Sequence, residues 1–208
     1  MTASNLQASP ARAPLAVPIF FVVWLAAALV LANVGLIEQA LSGRPWIVPV
    51  MLWSITLGVG AIAWNWAPLR TWAKTVDLRG PILLHVLRIG FGAAFLWLYS
   101  RGEMSGQFAL RAGPGDIAVG ILAILAAIAV ARNTRGRRLA VWVWNVVGLA
   151  DMLVTVASAQ SVLFSPEAAS MAAFTRFPYS LLPFFIVPLI LLTHALVFVR
   201  LRSAARPG

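Results

Sequence analysis

Cysteine is absent from this chain of 208 residues. Its absence excludes disulfide bonds, thiolate-bound zinc, iron–sulfur clusters and a cysteine nucleophile. Histidine occurs only twice, which is too few for the paired axial ligands of more than one haem. The sequence also lacks an H-E-x-x-H zinc motif and a glycine-rich phosphate loop followed by lysine. An enzymatic function is therefore not favoured.

Charged residues are also scarce, at 11% of the chain, whereas 61% of the residues are hydrophobic. A soluble domain would be about a quarter charged and about half apolar. Six runs approach the roughly 20 apolar residues that cross a bilayer as a helix, and no loop between them is long enough for a separate domain. We therefore predict an all-α membrane protein, a bundle of six transmembrane helices in one domain over residues 16–199, with spans at about 16–33, 46–66, 81–99, 116–131, 139–159 and 181–199.

Basic residues alternate between the connecting segments and give a net charge of +10. Cytoplasmic loops of membrane proteins carry an excess of lysine and arginine. One side of the predicted bundle holds only four arginines, and the other side holds eleven basic residues: Arg12, Arg70, Lys74, Arg79, Arg132, Arg135, Arg137, Arg138, Arg200, Arg202 and Arg206. This pattern places the leader (1–15) and the basic tail (200–208) in the cytoplasm. It also explains the positive charge without nucleic-acid binding.

Five polar side chains interrupt the predicted spans: His85, Arg88, Asn145, Asp151 and His194. Ionisable residues in hydrocarbon are costly and commonly mark substrate or proton pathways. Arg88 needs an acceptor, and Asp151 is a candidate, directly or through Asn145 or water. The pair could equally be a structural salt bridge that fixes helix packing.

The two histidines, His85 and His194, fall at a similar depth near the inner ends of the third and sixth spans. Two imidazoles on facing helices could ligate a single b-type haem or carry protons. They could also be hydrogen-bonded to neighbouring residues without a further role. We predict no cofactor and no metal site, and we keep haem b as the alternative.

The segment between the third and fourth spans contains Glu103, Arg111 and Asp116. Asp116 follows a Gly-Pro-Gly sequence and precedes an apolar run, which predicts a helix N-cap. The alternative is an outer vestibule in which these three residues meet solute. In the sixth span, Pro188 removes a backbone hydrogen bond and predicts a kink. Before that span, Ser165 is predicted to cap a short helix that begins at Pro166.

The last 130 residues or so contain Phe108-Ala109-Leu110 through Gly115-Asp116, Trp144-Asn145 through Asp151, and Leu182-Pro183 through His194. In this pattern the chain resembles small bacterial integral membrane proteins that carry no assigned function. The resemblance implies no activity, but it favours treating these polar residues as a set.

The leading hypothesis is a small-solute or ion transporter with Arg88, Asn145 and Asp151 at its centre and His85 and His194 near the inner mouth. The alternatives are an accessory or assembly subunit of a larger membrane complex, and a single-haem redox subunit. The expected partners are the lipid bilayer and a homo-oligomer or larger complex. The richness in alanine and the fifteen arginines against one lysine suggest a bacterial genome, hence the bacterial inner membrane.

Overall fold

The computed structural model of the protein describes residues 14–203, and this part of the chain is helical without a β-strand. Five helical segments within it are long and apolar enough to cross a membrane. The predicted leader, apart from residues 14 and 15, lies outside the described residues, as do residues 204–208 of the tail. The protein is therefore an all-α protein of the multi-pass membrane type.

Nine α-helices follow one another along the described residues, and a short irregular region precedes the last. They are α1 (Ala16–Leu31), α2 (Leu36–Leu41), α3 (Ile47–Asn65), α4 (Ala67–Ala73), α5 (Arg79–Leu84), α6 (Leu87–Ser100), α7 (Gly106–Ala131), α8 (Arg137–Leu163) and α9 (Val187–Ser203). Between α8 and α9 the chain forms 3-10 helices over Pro166–Thr175 and Tyr179–Leu181 and a π-helix over Leu182–Ile186. Ser165 caps the first of these through its side chain, as predicted.

The predicted first span corresponds to α1, which has 16 residues and is therefore about 24 Å long at 1.5 Å per residue. This is shorter than the hydrocarbon core of about 30 Å. Although α1 is apolar, it is therefore not among the five helices that are long enough to cross a membrane. The predicted third span corresponds to two helices, α5 and α6, which are joined by a turn at His85 and Val86.

The predicted start of the fourth span at Asp116 is wrong, because α7 begins ten residues earlier. Ser105 is the N-cap, and its hydroxyl accepts a hydrogen bond from the Gln107 backbone N–H. Pro114 lies inside the helix instead of ending it. Membrane helices tolerate such prolines where neighbours satisfy the freed carbonyls. Asp116 therefore sits in the middle of a buried helix face and not at a helix end.

Helices α6, α7, α8 and α9 form the core of the bundle, with α7 packed between α6 and α8. The largest cluster of buried apolar side chains joins these helices to the 3-10 segment Pro166–Thr175. By contrast, α1 and α3 present many apolar side chains outward, for example Val22 and Leu57, which are 67% and 68% exposed. In water such a surface would be unstable, whereas lipid is a suitable solvent for it.

Glycines allow α6 and α7 to approach each other closely. A Cβ atom built on Gly92 would lie 2.5 Å from the carbonyl oxygen of Gly113, and one built on Gly120 would lie 2.5 Å from a side-chain carbon of Ile89. Small residues at helix contacts are the usual means of close packing in membranes. These glycines therefore bring the backbone around Arg88 next to the backbone around Asp116.

We expect Gly92→Ala to lower the free energy of unfolding by about 1–3 kcal/mol, the usual cost of overpacking. The new methyl group would meet backbone on the facing helix, which cannot rotate away. Equilibrium unfolding in mixed detergent micelles measures the change. Gly90→Ala is the matched control, because a Cβ on Gly90, in the same helix, would meet nothing within 4 Å. Equal effects of the two substitutions would contradict the close approach.

Candidate functional site

Arg88 lies at the centre of a buried ionic cluster and is 1% exposed. Its Nε donates a hydrogen bond to Oδ1 of Asp116 at 2.6 Å, and its Nη2 donates to Oδ2 of Asp151. Its Nη1 donates to the carbonyl oxygen of Gly148 at 3.1 Å. A guanidinium presents its donors in one plane and so can serve three acceptors at once. We call Arg88, Asp116 and Asp151 the ionic trio.

Each member of the ionic trio comes from a different core helix. Arg88 occupies the first turn of α6, Asp116 lies in the middle of α7, and Asp151 lies in the middle of α8. Asp116 is 3% exposed, whereas the side chain of Asp151 is 19% exposed. Asp151 has room because Gly115 lacks a side chain: a Cβ there would lie 1.9 Å from Oδ1 of Asp151. The trio therefore ties α6, α7 and α8 together.

A second polar cluster joins α5, α8 and α9. The ring centroids of His85 and His194 are 4.4 Å apart, and Trp144 packs edge-on against His85 at 4.9 Å. Nε2 of His85 lies 3.0 Å from Oγ1 of Thr193, and Nδ1 of His194 lies 2.8 Å from Oδ1 of Asn145. Both histidines and Asn145 are fully buried. We call these residues the histidine cluster.

Hydrogen-bond partners define which nitrogen of each imidazole carries the proton. Thr193 donates its own hydroxyl proton to the carbonyl of Ile190, so its oxygen accepts from Nε2 of His85. Asn145 donates through Nδ2 to the carbonyl of His194, so its Oδ1 accepts from Nδ1 of His194. The two remaining nitrogens, Nδ1 of His85 and Nε2 of His194, are buried and have no hydrogen-bond partner among the described residues. In neutral rings both are proton acceptors.

Gly148 connects the histidine cluster to the ionic trio. Its carbonyl accepts from Arg88, and a Cβ on Gly148 would lie 2.8 Å from Cε1 of His194. Only a residue without a side chain fits between the imidazole and the neighbouring helix. All five residues predicted from the sequence as pathway candidates thus belong to two adjacent clusters, and Arg88 and Asp151 are in direct contact.

A haem between the two histidines requires space for a porphyrin ring between the imidazoles. The centroids lie only 4.4 Å apart and the rings meet edge to face, so no macrocycle fits between them. The arrangement therefore does not suit haem ligation, and we derive no chemistry through haem.

A cavity of about 100 Å³ borders the ionic trio. Arg88 and Asp116 contribute to its wall, which is otherwise lined mainly by apolar side chains, among them four phenylalanines: Phe91, Phe95, Phe108 and Phe174. Two polar atoms in the lining residues, Oγ1 of Thr155 and Nε2 of Gln160, are buried and have no hydrogen-bond partner in the described part of the chain. The cavity thus reaches one carboxylate of the trio, whereas Asp151 is not among its lining residues.

The three residues predicted for an outer vestibule are not brought together. Asp116 is buried against Arg88, and Arg111 is exposed on α7. Glu103 accepts hydrogen bonds from Arg101 at 2.8 Å and from Arg176 at 3.1 Å. Nearby, Ser105 donates to Glu167 at 2.8 Å. These contacts join the loop before α7 to the irregular segment after α8, so they close this end of the bundle.

Acid should weaken the contact between these two segments. Hydrogen bonds from Arg101 and then Arg176 hold the pKa of Glu103 below its ordinary value of 4.5. When the pKa of a carboxyl group is lower in the folded state than in the unfolded state, the group stabilises the fold at pH values above its unfolded pKa. This contribution is lost as the pH falls through the folded pKa. We therefore expect the thermal midpoint of the wild type to exceed that of Glu103→Gln by a small amount at neutral pH, and the two to converge in acid. A difference that is independent of pH would contradict this role.

The predicted kink at Pro188 falls next to an irregular stretch of backbone. Pro188 is the second residue of α9, directly after the π-helix Leu182–Ile186, which contains Pro183. A π-helix leaves the regular α-helical hydrogen-bond pattern and is frequent at functional sites. Pro183 and Ile186 line the cavity beside the trio, so the irregular segment forms part of the cavity wall.

Sequence reasoning missed Asp116 as a partner of Arg88 and Thr193 as a partner of His85. The positive charge of Arg88 was a signal for Asp116, because a buried guanidinium is stabilised by each carboxylate that can contact it. Thr193 directly precedes His194 in an apolar run, and nothing in that run indicates that it contacts His85. The pairing of Glu103 with Arg176 had no signal in the sequence, because 73 positions separate the two residues.

Comparison with known proteins gives one result. No curated protein and no solved structure matches the chain. One family model, described as a domain of unknown function (DUF8737), matches residues 45–202. The match includes the ionic trio, the histidine cluster and every core helix. Because it covers well over half of the chain, the protein belongs to the DUF8737 family.

Proposed function

We propose that the protein transports a small solute or ion across the bacterial inner membrane, and that its ionic trio carries an exchangeable proton. The observation behind this proposal is the placement of Arg88, Asp116 and Asp151 in contact inside helices that are apolar enough to cross a membrane. Buried ionisable groups at such depths commonly belong to proton or substrate pathways.

The charge balance of the ionic trio supports a proton on one of its carboxyl groups. One guanidinium and two carboxylates leave one excess negative charge when both carboxyl groups are ionised. An uncompensated buried charge is costly in a medium of low dielectric constant. A proton on one carboxyl oxygen removes this charge without requiring further space. Arg88 stays positive because a guanidinium does not lose its proton in proteins, so the exchangeable proton resides on Asp116 or Asp151.

The two carboxyl groups of the trio differ in their surroundings. Asp116 borders the cavity, which does not include Asp151, and the side chain of Asp151 is 19% exposed. The histidine cluster adds two nitrogens that can accept a proton, on His85 and His194, and Gly148 lies beside His194 and accepts a hydrogen bond from Arg88. In the proposed cycle, the proton reaches Asp116 through the cavity and reaches Asp151 through its exposed side.

The proposed topology has six spans, including α1, with both termini in the cytoplasm. It rests on the distribution of basic residues and on the apolar composition of α1. Because the natural chain has no cysteine, every engineered cysteine is unique. In intact cells, a membrane-impermeant maleimide should label Ser42→Cys and leave Thr134→Cys unlabelled until the cells are opened. The reverse pattern would overturn the orientation, and labelling of both would overturn the topology.

Proton flux in proteoliposomes tests the function. With a potassium diffusion potential and an internal pH-sensitive dye, the wild type should move protons faster than protein-free liposomes. Asp151→Asn should reduce this flux at least about tenfold, because a neutral amide cannot exchange the proton. Glu103→Gln, a change of the same kind at an exposed position outside the spans, should keep the wild-type flux. Full flux in a folded Asp151→Asn protein would remove this carboxylate from the mechanism.

A further inference from the structure

A large groove lies between the first half of α1 and the bundle, and no residue of the ionic trio lines it. Its volume is about 980 Å³, and it is bordered by α1, α3, α4, α5 and α9. Trp24 closes one end, because its Nε1 donates a hydrogen bond of 3.1 Å to the carbonyl of Phe184. At the other end the groove reaches the ends of α4 and α9.

The lining of the groove changes from apolar to basic along its length. On α9 the lining residues are mainly apolar, with the single polar residue Thr193, until Arg202 and Ser203 at the end of the helix: Leu189, Leu192, Thr193, Ala195, Leu196, Val199, Arg202 and Ser203. On α1 they are Val17, Phe20, Phe21 and Trp24, which share one helix face. The distance from Leu189 to Arg202 is about 20 Å at 1.5 Å per residue. This exceeds the depth of one lipid leaflet, which is about 15 Å.

Within residues 14–203, three basic side chains lie at the open end, Arg70, Lys74 and Arg202, and no acidic residue lines the groove. Arg70 donates one N–H to the carbonyl of Trp64 at 3.2 Å, and a guanidinium has five N–H donors in all. Three tryptophans surround the same end, Trp64, Trp66 and Trp72, and tryptophan is enriched at the level of lipid headgroups. The groove thus combines an apolar channel of leaflet depth with a cationic end at headgroup level.

We propose that this groove binds one anionic phospholipid. Its acyl chains lie between the Val17–Trp24 face of α1 and the apolar face of α9, and its phosphate contacts Arg70, Lys74 and Arg202. A neutral lipid offers the same chains, but its headgroup carries no net negative charge to match the three cations. The bound lipid fills the space between α1 and the bundle, so it takes the place of direct helix packing there. This site is separate from the ionic trio and does not depend on the transport proposal.

Titration of the delipidated protein with phosphatidylglycerol and with phosphatidylcholine, followed by native mass spectrometry, tests the proposal. Each basic residue near a headgroup contributes about a fivefold gain in affinity. We therefore expect phosphatidylglycerol to bind at least about tenfold more tightly than phosphatidylcholine. The double substitution Arg70→Gln/Lys74→Gln should remove most of this preference.

The matched control is Arg132→Gln/Arg135→Gln, which removes the same charge from exposed positions in the loop between α7 and α8. It should keep the preference. Soluble glycerol 3-phosphate should compete poorly, because it lacks the acyl chains. Equal affinity for both lipids, an equal loss in the control variant, or full competition by glycerol 3-phosphate would overturn the proposal.

Discussion

Arg88→Met should lower the free energy of unfolding by about 3–5 kcal/mol, the usual cost of removing one partner from a buried ionic network. The substitution leaves Asp116 and Asp151 facing each other without a cation, and it leaves the carbonyl of Gly148 without its donor. The methionine side chain retains much of the volume, so the loss reflects charge and hydrogen bonding and not a cavity. Equilibrium unfolding in mixed detergent micelles measures it.

Two further variants distinguish the loss of charge pairing from a general intolerance of substitution. Arg111→Met, on the exposed face of α7, should change stability by no more than about 0.5 kcal/mol, as for most surface substitutions. The triple variant Arg88→Met/Asp116→Asn/Asp151→Asn should recover a large part of the lost stability, because no uncompensated charge remains. A triple variant as unstable as Arg88→Met would show that unpaired carboxylates are not the cause.

Gly115→Ala should displace the carboxylate of Asp151 and weaken its bond to Arg88. The added Cβ would lie 1.9 Å from Oδ1 of Asp151, a separation that two atoms cannot adopt. We expect a loss of about 2–4 kcal/mol, which combines overpacking with a weakened buried ion pair. Proton flux should fall with it, since Asp151 no longer meets Arg88. Gly58→Ala, in the middle of α3 where a Cβ would meet nothing within 4 Å, is the control.

A double-mutant cycle assigns the effect of Gly115→Ala to Asp151. In an Asp151→Ala background the clashing carboxylate is gone, so the added methyl group at position 115 should cost less than about 1 kcal/mol. The difference between the two backgrounds is the coupling energy, and contacting residues couple by about 0.5–3 kcal/mol. An unchanged cost in both backgrounds would mean that another neighbour opposes the methyl group.

The helical segments were predictable because lipid imposes a simple rule: a spanning chain must satisfy its backbone internally and present apolar side chains outward. Their ends were less predictable. Gly113-Pro114-Gly115 has the composition of a turn in water, yet it lies inside α7, because Gly92 and Gly115 accommodate the close approach of α6 and Asp151. Tertiary contacts, which no local pattern encodes, thus keep this segment inside the helix, and the helix begins after its N-cap Ser105.

The residues of the candidate site were easier to find than their pairing. Polar side chains stand out in apolar runs, which identified Arg88, Asp151 and both histidines. Which acceptor meets Arg88 depends on the rotation of three helices about their axes, and apolar spans with little amphipathicity carry weak information about rotation. Asp116 was consequently predicted to be the N-cap of the fourth span, although its Oδ1 accepts a hydrogen bond of 2.6 Å from Nε of Arg88.

Infrared spectroscopy can detect the exchangeable proton that we place on the ionic trio. The protein would be measured at neutral pH in a detergent without ester or acid groups, first in H₂O and then in D₂O. The wild type should show the C=O stretching band of a protonated carboxylic acid, which shifts in D₂O. The band should be absent from both Asp116→Asn and Asp151→Asn, whose remaining carboxylate pairs with Arg88, and it should persist in Glu103→Gln. If the wild-type protein lacked this band, the ionic trio would carry no exchangeable proton.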